Sequence, residues 1–319
     1  MINYAGNTPM ADITYEFKGK IGHVYAKLEY YNPSGSIKDR IAAFIIDSAV
    51  KSGELSSGQP IVETTSGNTG IAIAAYGART KHPVHIFMPD WMSEERIKLM
   101  SMYGAELHLI SKDEGGFIGA FKQADKLAAE LGAYQVNQFK NINNLLTHYN
   151  STAVEILQQL PDVTDFVSGV GSGGTIMGIG KRLKESRNAR ITAIEPDCAQ
   201  ILAGKKATGM HKIEGIGDEI IPDIVDLKMM DKILPINDDD AIAMSAKIAR
   251  ELGIGVGISS GANFIGAVLA DRTDGRKVAT VFADDNKKYL SGALSAPVYD
   301  EEKMLSSRIE LLDVKKMTI

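Results

Sequence analysis

The chain has 319 residues, about two average domains, which is enough to bury a substantial core without disulfide or metal cross-links. Its 35 lysines and arginines against 40 aspartates and glutamates give a net charge of −5, so nothing favours binding to nucleic acid or to an anionic membrane. The single cysteine, Cys198, excludes an intramolecular disulfide, and no Cys/His cluster has zinc-ligand spacing. We therefore expect no metal site and a cytoplasmic location, since neither a signal peptide nor a long apolar run is present.

Short apolar runs alternate with amphipathic stretches that carry apolar residues at i, i+3 and i+4 spacing, so strands and helices are predicted to alternate. In chain order, the predictions are helices at 39–53 and 68–81, a strand at 84–88, a helix at 93–104, a strand at 105–110, a helix at 119–132, a strand at 165–170, a helix at 175–185, a strand at 190–195, helices at 239–253 and 261–272, and a strand at 278–283. This order predicts an α/β fold whose mainly parallel sheets are flanked by helices, with ligands at the carboxyl ends of the strands.

Domain boundaries and the C-terminal segment are poorly marked in the sequence. No Pro/Ser-rich linker marks a domain boundary between residues 20 and 290, so a discontinuous domain arrangement is expected. Residues 295–319 are more polar than the rest and follow the last predicted strand, which predicts a tail packed on the surface or on a partner.

The first segment that indicates chemistry is NPSGSIKDR at residues 32–40, which places Lys38 at the entrance of a predicted helix. The positive end of the helix dipole and partial desolvation both favour the neutral amine of a lysine, and such an amine can form a Schiff base. A solvated surface lysine at a helix start is the alternative that this segment alone leaves open.

Three further segments place glycines and hydroxyl-bearing residues directly before helices. They are ETTSGNTG at residues 63–70, GSGGT at residues 171–175 and GISSGAN at residues 257–263. Backbone N–H groups at such helix starts bind carboxylates or phosphates, although ETTSGNTG could equally be an ordinary helix cap. GSGGT is neither a Walker loop nor a dinucleotide fingerprint, so a phosphate-bearing cofactor other than ATP or NAD fits better.

Taken together and in this order, these segments resemble the cysteine synthase and cystathionine β-synthase family, which are pyridoxal phosphate (PLP) enzymes of fold type II. The resemblance extends from GNTP at residues 6–9 to KYLS at residues 288–291. It implies two α/β domains with PLP in the cleft between them and a homodimer. The smaller, mobile domain would comprise residues 36–140, and the larger PLP-binding domain residues 1–35 and 141–319 with the polar C-terminal tail.

The resemblance also implies a role for each residue that matches the motifs of the family. Lys38 matches the lysine that holds PLP as an internal aldimine and removes the α-proton, Asn68 matches the partner of the PLP 3′-oxygen, and Ser259 matches the serine at the pyridine nitrogen. The phosphate cup is matched by Gly171, Ser172, Gly173, Gly174 and Thr175. The residues that hold the substrate carboxylate are matched by Thr65, Ser66, Thr69 and Gln138. Gly215 matches the start of the Gly-Ile-Gly loop that faces the substrate, and Asp218 follows this loop.

The chemistry implied is β-replacement or β-elimination on a three-carbon amino acid. PLP acts as an electron sink, and a neutral serine at its ring nitrogen favours expulsion of a β-substituent over transamination. Elimination gives an α-aminoacrylate that a thiol or water attacks. Sulfide addition to O-acetylserine, which makes cysteine, is the leading prediction.

The sequence departs from the plain cysteine synthase pattern at Gly35, at Asp218 and at Ala283-Asp284-Asp285, and these departures leave the second substrate open. The main alternative is a cysteine or serine β-lyase or β-replacement enzyme that releases hydrogen sulfide or uses water or an amino-acid thiol, with lanthionine or cystathionine as products. A carboxylate at Asp218 would favour this alternative if it faces the substrate, whereas an Asp218 in solvent would not. A non-catalytic binding protein is disfavoured because Lys38, Asn68 and the phosphate cup are all present.

Overall fold

The structure is a computed structural model that describes residues 5–65, 67–218, 220–270, 275–295 and 303–317. Ser66, one of the predicted substrate-binding residues, lies outside these ranges. Within them, no helix is long and apolar enough to span a membrane.

The strands form two sheets. In chain order the strands are β1 (Met10–Phe17), β2 (Lys20–Leu28), β3 (Ile61–Thr64), β4 (Val84–Pro89), β5 (Glu106–Ile110), β6 (Tyr134–Gln135), β7 (Asp165–Gly169), β8 (Arg190–Pro196), β9 (Lys232–Ile236), β10 (Val278–Phe282) and β11 (Ile309–Met317). A seven-stranded sheet has the order β11-β1-β2-β10-β7-β8-β9, and a four-stranded sheet has the order β5-β4-β3-β6. The small sheet is parallel throughout, whereas β1 runs antiparallel to both of its neighbours in the large sheet.

The helices occupy the segments between the strands. They are α1 (Lys38–Ser52), α2 (Asn68–Thr80), α3 (Glu94–Met102), α4 (Gly116–Leu131), α5 (Ile142–Asn150), α6 (Thr152–Gln159), α7 (Gly174–Arg187), α8 (Asp238–Leu252) and α9 (Ile258–Ala270). The helix α8 shows why the sequence sets these limits: the Asn237 side chain accepts hydrogen bonds from the backbone N–H groups of Asp239 and Asp240, and Gly253 ends the helix with a φ of 69°.

The five predicted strands and the seven predicted helices are present, with ends shifted by a few residues. Strands β7 and β10 are almost entirely buried, as expected for central strands covered on both faces by helices. The prediction of fold type II is confirmed by this architecture together with the comparisons reported below. The division at residues 36–140 stays a prediction, although all four strands of the small sheet lie within it.

Two sequence-based interpretations were wrong in detail. The C-terminal segment was predicted to be a tail packed on the surface or on a partner, whereas its residues 309–317 form β11, which pairs with β1 at the edge of the large sheet. Ile309 is fully buried there, which anchors the start of the strand in the core. The helix predicted from residue 261 begins at Ile258, so Ser259 lies in its first turn rather than in a preceding loop.

Candidate active site

A cavity lies where the carboxyl ends of β3 and β7 meet the starts of α1, α2 and α7. Of the predicted site residues that the structure describes, those lining the cavity are Lys38, Thr65, Asn68, Thr69, Gln138, Gly171, Ser172, Gly173, Thr175, Gly215, Asp218 and Ser259. Only Gly174 does not line it; a Cβ atom there would lie 1.8 Å from the Asn144 Oδ1 atom, so this glycine permits close packing of α7. Segments far apart in the chain thus form one site.

Lys38 is the first residue of α1, and the chain before it is attached to the end of β10. The Ile37 backbone N–H donates to the Ala283 carbonyl over 2.8 Å, and Ser36 forms a β-bridge with Asp284. The Lys38 amine makes no hydrogen bond or ion pair with any described residue. Burial lowers the pKa of this amine, while the carboxylates of Asp218 and Asp284 act in the opposite direction. A lysine held in this way keeps a larger fraction of the nucleophilic, neutral amine.

The loop at residues 171–173 leads into the N-terminus of α7. Gly173 has a φ of +86°, and no side chain caps the helix, so its first N–H groups remain available for an anion. A Cβ atom on Gly171 would lie 2.2 Å from the Gly215 carbonyl oxygen, so only glycine permits this approach of the two loops. The donor set of backbone N–H groups and two hydroxyls fits a phosphate group.

The hydroxyls of Ser172 and Thr175 are oriented by buried side chains of α5. The Asn144 amide donates to the Ser172 Oγ atom over 2.9 Å, and the His148 Nε2 atom lies 3.4 Å from the Thr175 Oγ1 atom. Burial, followed by the positive charges of Arg40 and Lys38, lowers the pKa of His148 well below its usual range. The imidazole is therefore neutral and orients the Thr175 hydroxyl without adding charge.

On the far side of the cavity, Asn68 is held by an aspartate. Its amide donates to the Asp284 Oδ2 atom over 2.8 Å, and its own Oδ1 atom is buried with no partner among the described residues. The Tyr289 hydroxyl donates to the same Asp284 oxygen over 2.7 Å. An amide fixed next to the cavity with unused hydrogen-bonding capacity fits the polar edge of the PLP ring.

The loop between β3 and α2 carries the predicted carboxylate-binding residues. The Thr65 Oγ1 atom accepts from the Gly67 backbone N–H over 3.2 Å, and the Thr69 hydroxyl donates to the Gln138 Oε1 atom over 2.8 Å. Thr65, Thr69 and Gln138 are all buried, and the Gln138 amide nitrogen has no hydrogen bond within the described ranges. These groups form a polar wall at the start of a helix, which suits a carboxylate.

Asp218 is half-buried and lines the same cavity as Lys38. It follows Gly217, whose φ is +77° and whose N–H donates to the Val170 carbonyl over 2.9 Å, which attaches the loop to the end of β7. Burial raises the pKa of the Asp218 carboxyl, and the nearby charges of His211 and Lys38 act in the opposite direction. A carboxylate with raised proton affinity beside a lysine is suited to accept a proton.

The sequence analysis missed the groups that hold the site residues in place. Arg96 and Glu214 form an ion pair at the cavity wall, and the Arg96 guanidinium lies 4.9 Å from the centre of the Tyr289 ring. Asn144 and His148 act through the phosphate cup. No local motif marks Arg96, Asn144 or His148, since each acts through a partner distant in the chain. Glu214 directly precedes the Gly-Ile-Gly loop and Tyr289 lies in KYLS, so both belong to segments that the resemblance identified.

The model of one protein family, described as "Pyridoxal-phosphate dependent enzyme", matches residues 2–284. The chain belongs to this family. A cysteine synthase of Staphylococcus aureus is 40% identical over 294 residues, which cover 91% of this chain and 94% of that protein.

Two solved structures extend the comparison. A hydrogen sulfide-producing enzyme of Fusobacterium nucleatum is 44% identical, with a TM-score of 0.95 over 99% of this chain and 97% of that chain. A cysteine synthase of Entamoeba histolytica is 35% identical, with a TM-score of 0.87 over 96% of this chain and 92% of that chain. The predictions of the family, of PLP as cofactor and of a β-replacement enzyme are confirmed.

Proposed function

We propose that the enzyme releases sulfide from cysteine by β-replacement, with water or an amino-acid thiol as the incoming group. The balanced reactions are cysteine plus water to serine plus hydrogen sulfide, and two cysteines to lanthionine plus hydrogen sulfide. The observation that carries this proposal is the Asp218 carboxylate in the wall of the cavity. The similarity to a hydrogen sulfide-producing enzyme at 44% identity supports it.

The residues of this chain would divide the work as follows. PLP supplies an electron sink that lets the α-proton and the β-substituent of the bound amino acid leave. Lys38 would hold the cofactor and then take the α-proton, because its amine is buried and has no hydrogen-bond or ion-pair partner among the described residues. Thr65, Thr69 and Gln138 hold the substrate carboxylate, and Ser172 and Thr175 hold the cofactor phosphate together with the start of α7.

Asp218 would select the incoming group. Sulfide is largely anionic near neutral pH, so a buried carboxylate repels it, whereas water needs a base and an amino-acid thiol brings an ammonium that a carboxylate attracts. The raised pKa of Asp218 strengthens it as a base. Lys38 lines the same cavity, and its charge acts to lower the pKa of Asp218.

Asp218→Asn tests this proposal, with Asp223→Asn as a matched control because Asp223 is exposed and lies five residues further along the chain. We expect Asp218→Asn to lower formation of serine and lanthionine from cysteine by about tenfold or more. Cysteine formation from O-acetylserine and sulfide should hold or rise. The products are measured by amino-acid analysis and a sulfide assay; equal losses in all three reactions would contradict the assigned role.

Cysteine synthesis from O-acetylserine and sulfide, the leading prediction from sequence, is the second candidate function. The 40% identical cysteine synthase of Staphylococcus aureus favours it. Assays of the parent enzyme distinguish the two candidate functions. Faster conversion of O-acetylserine than of cysteine at saturating substrate would make cysteine synthesis the main activity.

The proposal includes a cytoplasmic homodimer whose smaller domain, residues 36–140, closes on the substrate. The ion pair of Arg96 on α3 with Glu214 supports closure, because it joins the small-sheet side of the cavity to the loop that carries Asp218. Closure would separate the reacting atoms from bulk solvent. Light scattering of the purified enzyme tests the dimer directly.

A further inference from the structure

A second cluster of donor side chains lies on the four-stranded sheet, outside the lining of the PLP cavity. His85 in β4 pairs with Glu106 in β5, and His108 follows two residues later, so all three side chains lie on one face. The His85 Nδ1 atom is 3.4 Å from the His108 Nε2 atom and 3.5 Å from the Glu106 Oε2 atom. The His108 Nε2 atom is 3.6 Å from the other carboxylate oxygen, Glu106 Oε1.

These distances match those between the ligands of a tetrahedral metal ion. With zinc bonds of about 2.0–2.1 Å, two ligands on neighbouring corners of a tetrahedron lie about 3.3–3.4 Å apart. One ligand atom from each of the three residues lies within 4.8 Å of the other two, so an ion between them could contact all three groups after small side-chain rotations. We propose that His85, Glu106 and His108 form a binding site for a divalent transition-metal ion of the Zn²⁺ class, with imidazole and carboxylate ligands.

The surroundings hold the two imidazoles in place and leave the carboxylate mobile. The Phe87 ring stacks on His108 with a centroid distance of 4.2 Å and an interplanar angle of 9°. The side chain of His85 is 13% exposed and that of His108 25% exposed, whereas Glu106 is 65% exposed. Two ligands are therefore preorganised on neighbouring strands, and the third closes on the ion from the solvent side. The fourth position is left for water.

A bound ion would tie β5, the edge strand of the small sheet, to β4. Because the ion would bind the folded state alone, it would also raise the melting temperature of the enzyme. The sequence analysis expected no metal site, since His85 and His108 lie in different strands and show no ligand spacing along the chain.

The test is a zinc titration of chelator-treated holoenzyme against a chromophoric competitor, carried out in a Cys198→Ser background so that the thiol does not bind the metal. We expect the parent to bind one Zn²⁺ per chain. In His85→Gln and in His108→Gln, zinc should bind about tenfold or more weakly, because losing even a residue that only supports a metal ligand weakens binding by this much. Zinc should raise the melting temperature of the parent by a few degrees and that of these variants by less.

His23→Gln is the matched control, because within the described ranges His23 has a single carboxylate partner, Asp12, at 2.8 Å and no second imidazole. Zinc affinity should be unchanged in this variant. Glu106→Gln is a third variant that should keep the fold, because an exposed side chain on an edge strand is replaced by one of the same shape. Equal zinc affinity in the parent and both histidine variants, or no binding by the parent up to millimolar zinc, would overturn the site.

Discussion

Two groups of polar and charged residues near the start of α1 differ in how completely their charges are paired. Behind the helix lies the buried ion network, formed by Lys27, Glu29, Arg40 and Glu155. In front of it lies the cleft group, formed by Lys38, Asn68, Asp218 and Asp284. Arg40 donates to Glu29 and Glu155 over 2.6 to 2.8 Å, whereas the Lys38 amine, two residues earlier, has no hydrogen-bond partner among the described residues.

The pKa values of Glu29, Arg40 and Glu155 follow this difference, whereas burial lowers the pKa of Lys27 in the same network. Arg40 and Lys27 hold the pKa of Glu155 down to about 2 although burial acts to raise it. In the cleft group burial prevails, and it lowers the pKa of Lys38 and raises that of Asp218. Paired charges hold the helix in place, and incompletely paired charges remain available for proton transfer.

The largest expected effect is on stability, from breaking the buried ion network. Arg40→Met leaves Glu29 and Glu155 buried without their main partner, so the free energy of unfolding should fall by about 3–5 kcal/mol. Urea unfolding of the PLP-free protein measures this loss. A loss below about 1 kcal/mol would show that the network adds little to stability.

The pH dependence of stability should come next in size. The pKa of Glu155 is about 2 in the folded protein against 4.5 for an unperturbed glutamate, so its contribution is present above pH 4.5 and is lost as the pH falls through 2. The shift corresponds to roughly 3 kcal/mol. Unfolding of the parent and of Glu155→Gln at several pH values should show a difference that narrows as the pH falls below 4.5. A difference independent of pH would contradict the lowered pKa.

The matching change in the cleft group should affect turnover instead of stability. Lys38→Ala removes the proposed α-proton base, so turnover should fall by about 10² or more, while some PLP stays bound through Asn68, Ser259 and the phosphate cup. The free energy of unfolding of the PLP-free variant should not fall by more than about 1 kcal/mol, because the amine has no partner to lose. Turnover near the parent rate would refute the assignment of Lys38.

The smallest effect is expected at the phosphate cup. Thr175→Val removes one hydroxyl that would donate to the phosphate, which should weaken PLP binding by about tenfold. Gly173→Ala should weaken it further, since its φ is +86° and the new Cβ atom would lie 2.3 Å from a Val225 methyl group. PLP occupancy after dialysis is compared with activity per bound PLP. Full occupancy with lost activity would assign the loop to the substrate instead.

The sequence predicted the parts of the site that are encoded locally. Lys38 at a helix entrance and the glycines before α7 are read from neighbouring residues, since helix ends and close backbone approaches need particular residue types. The central strands were predicted for the same reason, because burial on both faces gives continuous apolar runs.

What the sequence did not predict depends on contacts between distant segments. The hydrogen bond from Asn68 to Asp284 joins residues 216 positions apart, and no local pattern indicates it. Strand β11 was missed because five of its nine side chains are exposed, and its pairing with β1 is set by backbone hydrogen bonds. Whether Asp218 faced the cavity or solvent was open for a similar reason, since the direction of a loop residue depends on the tertiary fold.

The central claim is that the unpaired amine of Lys38 holds PLP in this cavity. Borohydride reduction of the purified holoenzyme, followed by proteolysis and mass spectrometry, tests it most directly because reduction fixes the cofactor to its lysine. The account predicts a pyridoxyl group on the peptide that contains Lys38, and none in Lys38→Ala treated in the same way. A pyridoxyl group on another lysine, such as the buried Lys27, would contradict it.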